Sequence, residues 1–83
     1  MVKNQENSDW KIENGKLVKE FKFADFKEAV EFVNKVATEA EKMNHHPDIL
    51  IHSYNHVKVT LFTHAMGAIT TTDNQLAEKI NQL

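Results

Sequence analysis

The dipeptide Asn14-Gly15 constrains this chain more than any other pair of residues. Both central positions of a two-residue type I′ turn need positive φ, which Asn tolerates and Gly adopts freely, and the twist of that turn matches two antiparallel strands. The flanking segments, Trp10-Lys11-Ile12-Glu13 and Lys16-Leu17-Val18-Lys19-Glu20-Phe21-Lys22-Phe23, are long enough to be those strands. A turn of this length pairs Glu13 with Lys16 and Ile12 with Leu17. It places Leu17, Phe21 and Phe23 on one face, with Lys19 as the exception there. The fold therefore starts from a sheet.

The next segment covers it. Asp25 stands where a helix N-cap belongs, with Glu28 at capping-box spacing. A helix is predicted from there to about Met43, because Phe26, Ala29, Val30, Val33, Val36, Ala37, Ala40 and Met43 recur at helical period. Lys27, Glu28, Glu31, Lys35, Glu39 and Lys42 fall mostly on the wet side. Asn44-His45-His46-Pro47 ends the helix, and Pro47 biases His46 toward extended backbone. Two strands follow, Asp48 to about Tyr54 and His56 to Thr63, with Asn55 near the turn between them. In the second, Val57, Val59 and Leu61 alternate with Lys58, Thr60 and Phe62, one buried face against one more exposed. A last helix begins near Thr70, where Asp73 sits at capping-box spacing and Leu76, Ala77, Ile80 and Leu83 supply the apolar stripe.

The order β-β-α-β-β-α predicts an α+β fold: a four-stranded antiparallel sheet with helices packed on one face. Residues 1–8 read as a loose polar leader and residues 9–83 as a single domain. Open sheet edges invite pairing with a second copy.

Composition narrows the function. Eighty-three residues without cysteine make a small core with neither disulfides nor thiolate metal sites. The net charge is −2 and all ten basic residues are lysine. Without arginine, the side chain that reads phosphate and guanine bidentately, a nucleic-acid partner is not expected. No apolar run approaches the roughly 20 residues that span a bilayer, so no membrane partner is expected either. With no hydrophobic signal segment visible, a cytoplasmic protein is the expectation.

Five histidines in so short a chain are the unusual feature. His45 and His46 lie at the irregular helix-to-strand junction, and His64 at a strand end, where backbones deliver side chains into clefts. Imidazole and imidazolium are both accessible near neutral pH, so such residues can supply acid and base together. His52 and His56 bracket the turn at Tyr54-Asn55. Neither they nor His45-His46 have the spacing of structural zinc or of a helical H-E-x-x-H, so no metal site is predicted. They are placed on the exposed sheet face. Asp73 reads first as a partner for helix-end amides, and Glu41 as a solvated helix residue.

The run Glu41-Lys42-Met43-Asn44-His45-His46-Pro47, then Tyr54-Asn55, Val59-Thr60-Leu61-Phe62-Thr63-His64 and finally Asp73 resembles the signature of the pterin-4a-carbinolamine dehydratases. The resemblance extends from Trp10 to the C-terminus. It implies a homodimer or homotetramer that dehydrates 4a-hydroxytetrahydrobiopterin to quinonoid dihydrobiopterin, in support of tetrahydrobiopterin recycling, with no cofactor. Carried over by position, His45, His46 and His64 are catalytic. The pterin substrate would be bound by His45, His46, Pro47, Thr63, His64, Ala65 and Met66, with Glu41 and Asp73 as supporting acids. Some animal members of the family also act as dimerisation partners of a transcription factor; retention of all three histidines favours the enzyme here. Six residues separate Pro47 from Tyr54, one more than is usual in the family, which implies a bulge or a longer strand. Gly67-Ala68 stands where the family has Gly-Gly or Ala-Gly, and the helix that often precedes the tryptophan is not seen.

Overall fold

A computed structural model describes residues 9–83; the polar leader expected at residues 1–8 lies outside them. The elements are β1 (Lys11–Glu13), β2 (Lys16–Lys22), α1 (Phe26–Met43), β3 (Asp48–His52), β4 (His56–Leu61) and α2 (Thr71–Asn81). The strands form one antiparallel sheet in spatial order β1-β2-β4-β3. Asn14 and Gly15 take φ of 52° and 76°, and the hairpin has the expected register, Ile12 against Leu17 and Glu13 against Lys16. The fold is the predicted α+β arrangement.

Both helices lie on the sheet face that carries Leu17, Phe21, Val57, Val59 and Leu61, and α2 closes the core with Leu76, Ala77 and Ile80. α1 is rotated from its predicted stripe. Its buried arc is centred on Ala29, Val36 and Ala40 and extends to Phe32, leaving Phe26 and Ala37 exposed at the opposite rim. Phe32 decides this orientation, because its ring fills the space over β2, 4.6 Å from Phe21 and 5.0 Å from Phe23. A ring of that size buried among others outweighs a second alanine at the rim.

Lys19 resolves its conflict with the apolar face locally. Its ammonium donates to Asn81 Oδ1 at 2.7 Å and lies over the Phe21 and Trp10 rings, while Trp10 Nε1 donates to the same oxygen at 3.0 Å. Burial lowers the pKa of Lys19, with the charge of Asp9 opposing it. The cluster ties the start of the sheet to the end of α2.

The β3–β4 pairing runs without a break from Asp48 against Thr60 to His52 against His56. The bulge named as one alternative between Pro47 and Tyr54 is therefore absent, and both strands end earlier than predicted. In the turn between them Ser53 and Tyr54 adopt φ of 50° and 55°. Left-handed backbone at a side chain as bulky as Tyr costs about 1 kcal/mol or more. Buried Asn55 offsets it by pinning the turn to the end of β2: its Nδ2 donates to Phe23 O, and Phe23 N–H donates to Asn55 O, both at 2.8 Å.

The other sheet face is open. There the His52 and His56 rings stack at 5.2 Å, and His52 Nε2 meets Glu20 at 3.1 Å. Among the described residues, no helix is long and apolar enough to cross a membrane.

Candidate functional site

The end of α1 aims the first histidine. Asn44 closes the helix in the left-handed conformation (φ 52°), its N–H returning to Glu41 O and that of His45 to Ala40 O, each at 3.1 Å. This αL cap turns the chain off the helix axis. His45 leaves it toward the first turn of α2, where Asp73 is fully buried.

Asp73 gathers four groups. His45 Nε2 lies 2.5 Å from Oδ1. Oδ2 accepts from Thr63 Oγ1 at 2.7 Å and from the Thr70 N–H at 2.9 Å, with the Thr70 hydroxyl farther off at 3.5 Å. Thr63 and Thr70 hydroxyls meet at 2.8 Å. Burial alone would push the Asp73 pKa up. The bonds from His45, the Thr70 amide and Thr63, with the charge of His45, outweigh it and hold the carboxyl below its ordinary value. Asp73 thus does the helix-end work expected of it, satisfying the Thr70 amide, and holds an imidazole as well.

Thr63 also organises the loop that carries His64. Its N–H donates to Ala68 O at 3.1 Å, and its carbonyl accepts from Met66 and Gly67 at 3.1 and 2.9 Å. Gly67 takes φ of 63°, a conformation that costs a glycine little. Ala65 and Met66 are exposed on this loop. His64 is exposed too, its ring edge-on to Phe62 at 5.3 Å.

His46 goes elsewhere. Its Nε2 meets Glu41 Oε2 at 2.7 Å, an exposed pair on the last turn of α1. Pro47 is half-buried at the start of β3. Among the described residues, no hydrogen bond joins His46 or His64 to the group around Asp73. The bonded cluster is His45, Asp73, Thr63 and Thr70. Thr70 is the member that sequence reasoning missed as a site residue. Its capping spacing was visible, but nothing in the spacing told that its hydroxyl would meet Thr63.

An open groove of about 620 Å³ flanks the cluster without including it, lined by Met43, Asn74, Gln75, Glu78, Lys79 and Gln82. Among the described residues, no group of three or more His, Cys, Asp or Glu side chains is placed to hold a metal ion. The chemistry on offer is proton transfer by an imidazole held against a buried carboxylate, with a second, exposed imidazole on the neighbouring loop.

A family described as pterin 4 alpha carbinolamine dehydratase matches residues 1–83. A protein of Metallosphaera sedula that carries the provisional name pterin-4-alpha-carbinolamine dehydratase is 48% identical over 75 residues, 90% of this chain and 77% of its own. The crystal structure of a transcriptional coactivator/pterin dehydratase from Brucella melitensis superposes with a TM-score of 0.81 at 37% identity, covering 88% of this chain and 79% of that one. A pterin dehydratase-like protein identified as a RuBisCO assembly factor in the alpha-carboxysome shares the fold, with a TM-score of 0.78 at 18% identity over 96% of this chain and 94% of that one.

Proposed function

The chain belongs to the pterin-4α-carbinolamine dehydratase family, and from that premise we propose that it removes water from 4a-hydroxytetrahydrobiopterin to give quinonoid dihydrobiopterin, and so supports tetrahydrobiopterin recycling. The observation that carries the reading is His45 held against buried Asp73, one Thr63 hydroxyl away from the loop of His64. In the reaction the bond from carbon 4a to its hydroxyl oxygen breaks, and the electron pair leaves with the oxygen. One imidazolium gives that oxygen the proton that makes it water, and one imidazole takes the proton released from a ring nitrogen. His45 and His64 form this proton-transfer pair. His46, Pro47 and the segment 63–66 orient the flat bicyclic pterin, and Glu41 supports His46. The coactivator and assembly roles in the names of similar proteins belong to those proteins; the cluster at Asp73 favours chemistry here.

The test is stopped-flow decay of 4a-hydroxytetrahydrobiopterin. General acid–base assistance contributes roughly 10²–10⁴-fold, so His45→Ala and His64→Ala should each slow the enzymic step by about 100-fold or more. Two variants that both stay near the parent rate would end the reading.

The same reading makes the protein a homodimer or homotetramer, and β3 is the strand suited to build it. β3 is an edge five residues long, with Leu50 54% exposed, whereas the β1 edge has three residues and carries Lys11 and Glu13. Antiparallel self-pairing centred on Leu50 sets Ile49 against Ile51 and Asp48 against His52 of the partner copy. Every residue keeps its sheet face, and the Asp48 carboxylate at each end meets a polar imidazole. Opposite residues in such a ladder lie about 4.5–5.5 Å apart at Cα, within disulfide reach. In this cysteine-free chain Leu50→Cys should therefore give a crosslinked dimer on oxidation, and Ile12→Cys on the other edge should not. A monomer in sedimentation, with no crosslink at position 50, refutes the interface.

A further inference from the structure

We infer that Thr63 and Thr70 are positioning residues for His45, acting through Asp73, and that His45 exchanges its proton with substrate through Nδ1. The inference deepens the proposed dehydratase reading and rests on it only for the identity of the substrate.

An ionised carboxylate accepts hydrogen bonds and donates none. His45 Nε2 faces Asp73 Oδ1 at 2.5 Å, so that nitrogen carries a hydrogen whether the ring is neutral or charged. The neutral ring is therefore the Nε2–H tautomer, with its lone pair on Nδ1. Nδ1 receives no hydrogen bond from any described residue. It also reaches solvent, since among the described residues the one buried side-chain polar atom left without a partner is His56 Nδ1. His45 keeps 14% of its side-chain surface exposed, and that surface is where a proton can be exchanged.

The orientation of Asp73 decides which of its oxygens meets the ring. Oδ2 is occupied by the Thr63 hydroxyl and the Thr70 amide, leaving Oδ1 for His45. Each hydroxyl has one hydrogen. Thr63 spends its own on Asp73, so the 2.8 Å contact between the two hydroxyls must be Thr70 donating to Thr63. The direction of every bond in the chain is then set: Thr70 to Thr63, Thr63 to Asp73, His45 to Asp73. Removing the Thr63 hydroxyl frees one corner of the carboxylate and lets the ring turn. The Thr70 hydroxyl lies farther from the carboxylate, 3.5 Å from Oδ2, and Thr70 keeps its amide bond to Asp73 when that hydroxyl is lost. Its removal should matter less.

The test pairs a readout that needs no substrate with one that does. Imidazole ¹⁵N shifts at high pH should show His45 of the parent as the Nε2–H tautomer. Thr63→Val should mix the tautomers, and Thr63→Ser, which keeps the hydroxyl, should restore the parent spectrum. In the dehydration assay Thr63→Val should lower kcat by roughly tenfold, less than the ~10²-fold that a full 1 Å misplacement can cost, with KM little changed. Thr70→Val should lower it by a few-fold. A parent spectrum with the hydrogen on Nδ1 overturns the inference whatever the chain catalyses. So does Thr63→Val with parent spectrum and parent kcat. Loss of folding, read from the thermal melt, is separated by Thr63→Ser. A protein that shows the Nε2–H tautomer but leaves the carbinolamine untouched would refute the dehydratase reading and leave the tautomer assignment standing.

Discussion

Among the described residues, two imidazole–carboxylate pairs join distant parts of the chain, and they have opposite characters. At His45–Asp73 the carboxylate is fully buried, the ring 14% exposed, and the second oxygen is met by a hydroxyl and a backbone amide. At His52–Glu20, on the open sheet face, the side chains are 37% and 47% exposed. Both oxygens of Glu20 crowd one ring nitrogen at 3.1 and 3.2 Å. The residue types are nearly the same. What differs is how many groups must move together for the pair to rearrange. Water screens the outer pair and can replace either member, whereas Asp73 cannot leave the inner pair without unpairing a helix-end amide.

Asp73→Asn should produce the largest effect. A neutral amide can present a donor where the carboxylate only accepts, and the His45 ring then turns to the other tautomer. The dehydration rate should fall by on the order of 100-fold, within the range of general acid–base assistance. Stability in urea should fall by about 2–3 kcal/mol, because buried donors from Thr63 and Thr70 lose a charged acceptor. Glu20→Gln is the matched change at the outer pair and should leave the rate unaltered. Equal losses in both variants would erase the distinction between the pairs.

Acid should separate them next. Asp73 titrates below its ordinary value in the folded protein, so the folded state favours its charged form. That stability is fully present above the unfolded carboxylate pKa of about 3.9 and is lost as pH falls through the lower folded value. Urea midpoints measured downward from about pH 5 should therefore drop more steeply for the parent than for Asp73→Asn, the two curves converging in acid. A parent curve no steeper than that of the variant would show that the buried carboxylate has no depressed pKa.

Much of this was legible before the coordinates. Asn14-Gly15 carried the register of the first hairpin, Asp25 the start of α1, and the alternation through Val57, Val59 and Leu61 the inward face of β4. These are local signals, each written in one stretch of chain. The rotation of α1 was not legible, because Phe32 is placed by Phe21 and Phe23 on another element, and helical period alone leaves the rim of a stripe undetermined. The site divided in the same way. His45 stands out by its place at the helix-to-strand junction, Asp73 by its capping spacing and Thr63 by the resemblance alone, but the grouping that excludes His46 and recruits Thr70 depends on where α1, β4 and α2 meet. His46 and Asp73 both answered to a motif. Only packing showed that one pairs in solvent with its own helix and the other anchors the cluster.

The smallest effect belongs to the outer pair itself, and it sharpens the comparison by its size. Glu20 and His52 are long, exposed side chains whose pairing gains little over hydration and costs rotamer freedom. Glu20→Gln should change the unfolding free energy by about 0.5 kcal/mol or less. Even that difference should vanish at roughly 1 M salt, where the Debye length shrinks to about 3 Å. The deficit of Asp73→Asn should survive the same salt, because ions cannot reach a carboxylate with no solvent-exposed surface. A salt-resistant loss at Glu20 would mean that the open face is covered in solution. The lesson drawn from its exposure would then belong to the isolated chain and not to the working protein.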